Sequence, residues 1–144
     1  MRTVRQMLEE KGEAVWTVDS GTSVFDSLKL MAEKNIGALV VVDNNRVVGI
    51  FSERDYARKV ILSGHTSHEL NVRDVMSTNV VSVNPVHTID HCMACMTERH
   101  IRHLPVMEKD NLVGLISIGD VVKSIIEEQR STITHLEDYI TGKR

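Results

Sequence analysis

Aromatic side chains are nearly missing from this chain: they make up 3% of 144 residues, so any core has to be aliphatic, built from Val, Ile, Leu and Met. Charge of one sign is also missing. A formal balance of −3 gives no electrostatic case for nucleic acid or an anionic membrane as the main partner. Long apolar runs are absent; the longest, "ALVVV", is far short of a membrane span. The first residues, "MRTVRQMLEEKGEAVW", contain no apolar stretch of the kind that marks a secretory leader, which points to a cytoplasmic protein. Only two cysteines occur, three residues apart, and in such a chain they read as reduced thiols rather than a structural disulfide. The remaining composition, 42% apolar and 26% charged, is that of an ordinary globular protein.

What the chain does contain is a repeat. Shifted by 65 residues, Val15 to Asp55 lies over Val80 to Asp120 without a gap, and 11 of the 41 positions are identical. The identities include Met31/Met96, Ile36/Ile101, Leu39/Leu104, Gly49/Gly114, Ser52/Ser117 and Asp55/Asp120. Upstream, "VRQML" (Val4 to Leu8) resembles "VRDVM" (Val72 to Met76), with three extra residues in the first copy. The polar stretch "SGHTSHELN" joins the units. The repeat divides the chain into residues 1–66, residues 67–130 and a tail over 131–144.

Each unit predicts the same order of elements. A β-rich piece comes first, "VWTV" or "VVSV". An amphipathic helix follows, with Val24, Leu28 and Met31 or Ile89, Met93 and Met96 at i, i+4 and i+7. Ser23 and Thr88 stand where a hydroxyl can cap its first turn. Two strands then flank a tight turn at Asn44-Asn45 or Lys109-Asp110. A second helix closes the unit, with Tyr56, Val60 and Ile61 or Val121, Val122, Ile125 and Ile126 as its apolar side. The fold class is thus mixed α/β, β-α-β-β-α twice. A unit of about 60 residues buries little alone, so the copies should pack as one pseudo-twofold body. In the tail, Ile133, Leu136 and Ile140 share a helical face, suited to docking on the body or on a second subunit.

The repeat and its endings resemble the CBS domain, which occurs as tandem pairs called Bateman modules. Its most specific mark is a closing Gly, an apolar residue, any residue, Ser or Thr, two more, then Asp. It reads "GIFSERD" (Gly49 to Asp55) and "GLISIGD" (Gly114 to Asp120) here, in register. The resemblance runs from about Val4 to Ile126 and implies a stand-alone CBS pair. It further implies a regulatory module that binds adenosine-containing ligands (AMP, ADP, ATP, S-adenosylmethionine or NAD) in clefts between the units. Such a module signals through an unidentified protein effector or through rearrangement of a homodimer.

The residues suit that implication. An ionised Asp accepts hydrogen bonds from both hydroxyls of a ribose, a role for Asp55 and Asp120. Ser52 and Ser117, at the starts of their helices, offer a phosphate a hydroxyl beside free N–H groups. The simpler reading of each Ser/Asp pair is capping alone. The two sites differ: Arg54 stands opposite Gly119, whereas Arg102 and His103 stand opposite Gly37 and Ala38. Arg102 and His103 are assigned to phosphate in the cleft of Asp55, and Arg54 to either cleft.

The segment from Val86 to His103 holds four histidines and two cysteines. His87, His91 and Cys95 are four apart and share a helical face; Cys92 and Cys95 form C-x-x-C. The repeat places them on the first helix of unit two, where Cys92 serves as a small apolar filler. Three ligands on one helix rarely close a zinc site, so no metal is assigned. Metal or thiol sensing on His87, His91, Cys92 and Cys95 remains the alternative, together with nucleotide hydrolysis. The latter lacks a Walker loop, paired carboxylates or a Ser–His–Asp arrangement in this sequence.

Overall fold

The computed structural model describes residues 2–12 and 14–142. Unit one contains β1 (Thr17–Val18), α2 (Val24–Lys34), β2 (Ala38–Asp43) and β3 (Arg46–Ser52), preceded by α1 (Val4–Lys11). It closes with a single turn, α3 (Glu53–Asp55), that continues as a π-helix over Tyr56–Ile61. A 3-10 turn at Val72–Asp74 leads into unit two: α4 (Ile89–Arg99), β4 (His103–Glu108), β5 (Asn111–Ser117) and α5 (Ile118–Thr141). No helix among the described residues is long and apolar enough to cross a membrane.

Local chemistry explains these boundaries. Ser23 Oγ accepts from the Asp26 N–H at 3.0 Å, and Thr88 Oγ1 accepts from the His91 N–H at 3.1 Å, so both hydroxyls cap as expected. Asn35 and His100 end the same two helices in the left-handed region, at φ 54° and 55°. The hairpins turn on Asn44 and Asn45, and on Lys109 and Asp110, all at positive φ. Two successive left-handed residues make the turn whose twist matches an antiparallel pair. Both hairpins carry a register shift at the same place, Val41/Val42 and Val106/Met107.

The units differ at their first strand. β1 pairs in parallel with β2, giving a three-stranded sheet ordered β1-β2-β3, while unit two has only β4-β5. "VVSV" contributes a single parallel bridge, Val83 to Val106. The cause is Pro105, which stands where unit one has Val40. Val83 donates to the Pro105 carbonyl and accepts from the Met107 N–H. The next rung would need an N–H from Pro105, which has none.

The units exchange their leading segments. Val4, Met7 and Leu8 of α1 are buried in the core of unit two, with Ile89, Cys92, Met96, Leu104 and Ile116. Val72 and Val75 are buried in the core of unit one, with Val24, Met31, Leu39 and Phe51. Equivalent backbone bonds hold both: Val4 N–H to the His87 carbonyl at 2.9 Å, and Val72 N–H to the Thr22 carbonyl at 2.7 Å. Each exchanged segment also presses a side chain onto the glycine of the other unit's closing motif. A Cβ on Gly49 would lie 2.6 Å from Met76 Sδ, and one on Gly114 would lie 2.7 Å from Leu8 Cδ2. Burying each of these aliphatic side chains stabilises by roughly 1.5–3 kcal/mol, so the exchange joins both halves into one body.

α5 is one unbroken helix of 24 residues, about 36 Å long. The apolar face expected beyond Arg130 forms its last turns. Ile133, Leu136, Tyr139 and Ile140 are 54%, 57%, 86% and 82% exposed there. The final two residues of the expected tail lie outside the described residues.

Candidate functional site

Both closing motifs form reciprocal caps. The Ser52 N–H donates to Asp55 Oδ2 at 3.0 Å, and the Asp55 N–H donates to Ser52 Oγ at 3.2 Å. The Ser117 N–H donates to Asp120 Oδ2 at 2.8 Å, and the Asp120 N–H returns to Ser117 Oγ at 3.1 Å. Capping uses part of each carboxylate. An ionised carboxylate offers about four lone-pair directions, so the geometry that fixes these side chains leaves them acceptor capacity for a ligand.

A cavity of about 620 Å³ opens beside Asp55, between the units. Small-ligand sites commonly measure about 300–1,000 Å³. Ser52, Arg54, Asp55, Arg102 and His103 all line it, so five of the residues read from sequence come together. Arg54 spans the units: its Nη1 donates to the His100 carbonyl at 2.7 Å. Gly37 forms part of the wall, where a Cβ would meet Glu53 Oε1 at 3.2 Å and His103 Nε2 at 3.4 Å. Arg58, Lys59 and Arg99 also line the cavity, as do Ser77 and Asn79 of the linking segment. Sequence reasoning passed over these. Their only signal was position, three and four residues after Asp55 or at the end of α4.

The electrostatics of this cleft are lopsided. Five cationic side chains, Arg54, Arg58, Lys59, Arg99 and Arg102, face two carboxylates, Glu53 and Asp55. Lys59 Nζ lies 3.4 Å from Asp55 Oδ1 and donates to the Val75 carbonyl at 3.0 Å. Ser77 Oγ approaches the same Asp55 oxygen at 3.4 Å. Burial holds the His103 imidazole below its ordinary value, with the charges of Lys11 and Arg102 adding to that depression and Asp120 opposing it. At neutral pH His103 is therefore an uncharged donor and acceptor, and the arginines supply the positive charge.

The cleft of Asp120 differs. The cavity beside Asp120 is about 250 Å³ and lies between the α1 segment and α5, lined by Arg2, Lys11, Asp120 and Lys123 among others; no residue of α2 or β2 reaches it, so it is not the repeat counterpart of the cleft of Asp55. Lys11 Nζ reaches Asp120 Oδ2 at 2.5 Å and the Leu115 carbonyl at 2.7 Å. Burial works against the Asp120 charge, but hydrogen bonds from Lys11 and Ser117 outweigh it, and the carboxyl sits below its ordinary value. Arg2 bridges Glu10 and Glu127 at 2.8 and 3.2 Å. Charge here is matched internally.

On α4, Cys92 is buried, and burial together with neighbouring Cys95 pushes its thiol up to about 11. His87 stacks on His91 with ring centroids 4.2 Å apart, and its Nδ1 accepts from the Asn84 N–H at 3.0 Å. Cys95 Sγ lies 3.6 Å from His91 Nε2. Among the described residues no group of three or more His, Cys, Asp or Glu side chains is placed to hold a metal ion.

A family model of the CBS domain matches the chain twice, at residues 12–62 and 72–127. A mitochondrial CBS domain-containing protein of Arabidopsis thaliana is 35% identical over 150 residues, spanning 97% of this chain and 72% of its own. A CBS-domain protein of Burkholderia ambifaria MC40-6 superposes with a TM-score of 0.85 at 49% identity, over 88% of this chain and 96% of that one. The CBS domain pair of MJ0100, solved with 5′-methylthioadenosine and S-adenosyl-L-methionine, shares the fold at a TM-score of 0.78 and 22% identity, over 89% and 98% of the two chains.

Proposed function

Because the chain belongs to the CBS domain family, as a tandem pair, we propose that it is a regulatory module that binds a phosphate-bearing adenosine ligand in the cleft of Asp55. One observation carries this reading: a fixed carboxylate shares a 620 Å³ cleft with five cationic side chains. Asp55 is the ribose acceptor, fixed by Ser52. Arg54 and Arg102 approach from opposite units and meet the phosphates, with Arg58, Lys59 and Arg99 as further cations. The adenosine ligands of the MJ0100 pair support the ligand class. The excess of positive charge favours AMP, ADP, ATP or NAD over S-adenosylmethionine, whose sulfonium is itself cationic. The module acts by binding, without turnover, in the cytoplasm. It signals to a partner protein or through a homodimer, for which the exposed apolar face of α5 supplies surface.

Calorimetric titration of adenosine, AMP, ATP and NAD into the wild type and Asp55→Ala tests the reading. Losing hydrogen bonds to a charged group costs roughly 1.5–3 kcal/mol, or about ten- to a hundredfold in affinity. Wild-type affinity in Asp55→Ala for all four would reduce Ser52 and Asp55 to a helix cap.

A further inference from the structure

The two clefts begin from one sequence pattern and diverge after Leu8 and Met76, the side chains seated on Gly114 and Gly49. After Met76 the chain leaves its 3-10 turn and runs along β3: Ser77 and Ile50 exchange both backbone bonds, at 3.0 and 2.9 Å. It thus passes Asp55 with only the Ser77 hydroxyl beside it, 3.4 Å from Oδ1, and leaves the cleft open. After Leu8 the chain stays helical for Glu9, Glu10 and Lys11, good helix formers, and stops only at Gly12, φ 96°. That extra turn brings Lys11 down on unit two. Its ammonium donates to the Leu115 carbonyl, where the equivalent carbonyl of Ile50 accepts from a backbone N–H. The same ammonium takes Asp120 Oδ2. In the exchanged segments Lys11 corresponds to Asn79, which lines the open cleft and makes no such bond to Asp55; the ammonium nearest Asp55 is that of Lys59 from its own unit, and it stands farther off, at 3.4 Å against 2.5 Å.

Building on the binding reading above, we propose that Lys11 decides which of the two clefts is used. Its side chain acts as an internal ligand of Asp120, so the chain takes one nucleotide, in the cleft of Asp55. Charge matching weighs against an anion as well, with Lys123 the one cation lining the cavity beside Asp120 that has no ion pair among the described residues. Arg2 and Lys11 are already held by Glu10, Glu127 and Asp120, so phosphates entering there gain no uncommitted partner from either. Lys11 is 37% exposed at its side chain, and an ion pair so open to water adds little stability. Its effect therefore falls on access, and variants at position 11 should fold.

The test counts ATP per chain by calorimetry on the full-length protein. The wild type should bind one equivalent. Lys11→Ala, which removes both charge and bulk, should bind two, and the added equivalent should vanish in Lys11→Ala/Asp120→Ala. Lys11→Arg keeps a cation for Asp120 and should stay at one; Lys11→Gln gives a second reading of charge loss. Two equivalents in the wild type, or one in both Lys11→Ala and Lys11→Gln, would overturn the proposal. A wild type that binds neither ATP nor AMP would overturn the binding reading itself, and the role of Lys11 with it.

Discussion

Arg54 of one unit donates to the carbonyl of His100 in the other at 2.7 Å, so the helix start carrying Asp55 is tied across the cleft to the left-handed end of α4. Gly119, its counterpart, has no side chain to make such a tie. Arg54→Ala should cost about 1–1.5 kcal/mol of stability, the low end for a hydrogen bond from a charged donor because this one is open to water. It should weaken ATP severalfold while leaving adenosine nearly unchanged. Equal weakening of both ligands in calorimetry would mean that Arg54 shapes the wall and meets no phosphate.

Gly49 has no room for a side chain. Gly49→Ala should destabilise by about 1–3 kcal/mol, as overpacking does, because its Cβ would meet Met76 Sδ at 2.6 Å and the Ser77 carbonyl oxygen at 3.0 Å. Met76→Ala in the same chain should relieve part of that cost, since the two sites are in contact. Urea denaturation of the four-member cycle measures it. Strict additivity would show that Met76 does not fill the space above Gly49.

The two thiols should behave differently. Cys92, buried and pushed up to about 11, is inert in the folded chain, whereas Cys95 is partly exposed. A thiol reagent should modify Cys95 first and reach Cys92 only as the protein opens. Cys92→Ser places a hydroxyl in the core and should cost about 1–3 kcal/mol, with Cys95→Ser within about 0.5 kcal/mol of wild type. Equal modification rates in native buffer would contradict the burial of Cys92.

Acid should destabilise the protein before its carboxylates titrate. Burial holds His87 and His103 below the ordinary histidine value of 6.5, helped by His91 in the first case and by Lys11 and Arg102 in the second. Below that pH the unfolded chain takes up protons that the folded chain refuses, so stability is full above it and falls as pH drops toward the folded-state values. Asp120, held below 3.8, adds stability that is lost only at still lower pH. Urea midpoints should decline between pH 7 and 5.5, and His103→Gln should flatten the slope. An unchanged slope would remove His103 from the account.

The exposed face of α5 predicts a dimer. Val122, Ile126, Ile133, Leu136 and Ile140 follow one another at intervals of four, seven, three and four, a seam one helix cannot cover by itself. Light scattering should give about twice the chain mass of 16.2 kDa. Ile133→Lys with Leu136→Lys should return it to the monomer. A wild type that scatters as a monomer at micromolar concentration would exclude this face as a self-contact.

Much of this architecture is local, and what is local could be read from the chain. Hairpin turns at Asn44-Asn45 and Lys109-Asp110, caps at Ser23 and Thr88, and the seams of α2 and α4 each depend on residues within a few positions of one another. Ser52 and Asp55 followed from the closing motif because the pattern that caps a helix also fixes Asp55, whereas Arg54, Arg102 and His103 followed from the resemblance to CBS pairs, which implies a cleft between the units. The exchange of leading segments did not follow. "VRQML" and "VRDVM" look equivalent, but nothing near Val4 says that it packs on Ile89 rather than Val24. Arg58, Lys59 and Arg99 escaped because a cation on a helix surface looks the same whether it faces water or a cleft. Lys11 escaped because the effect of three extra residues depends on how far the helix runs. Pro105 was legible in principle: a residue without an N–H cannot extend a ladder.

The crossing of the leading segments also sets an order of events during synthesis. The core of unit one has all its residues once Val72 and Val75 have been added, before the helices and strands of unit two are made. The core of unit two needs Val4, Met7 and Leu8, the first core residues produced, yet their seat among Ile89, Leu104 and Ile116 is made last. Until then that apolar edge of α1 stays uncovered. α1 thus carries an unfinished contact while the residues between it and unit two are made, and it is among the last of these elements to lock.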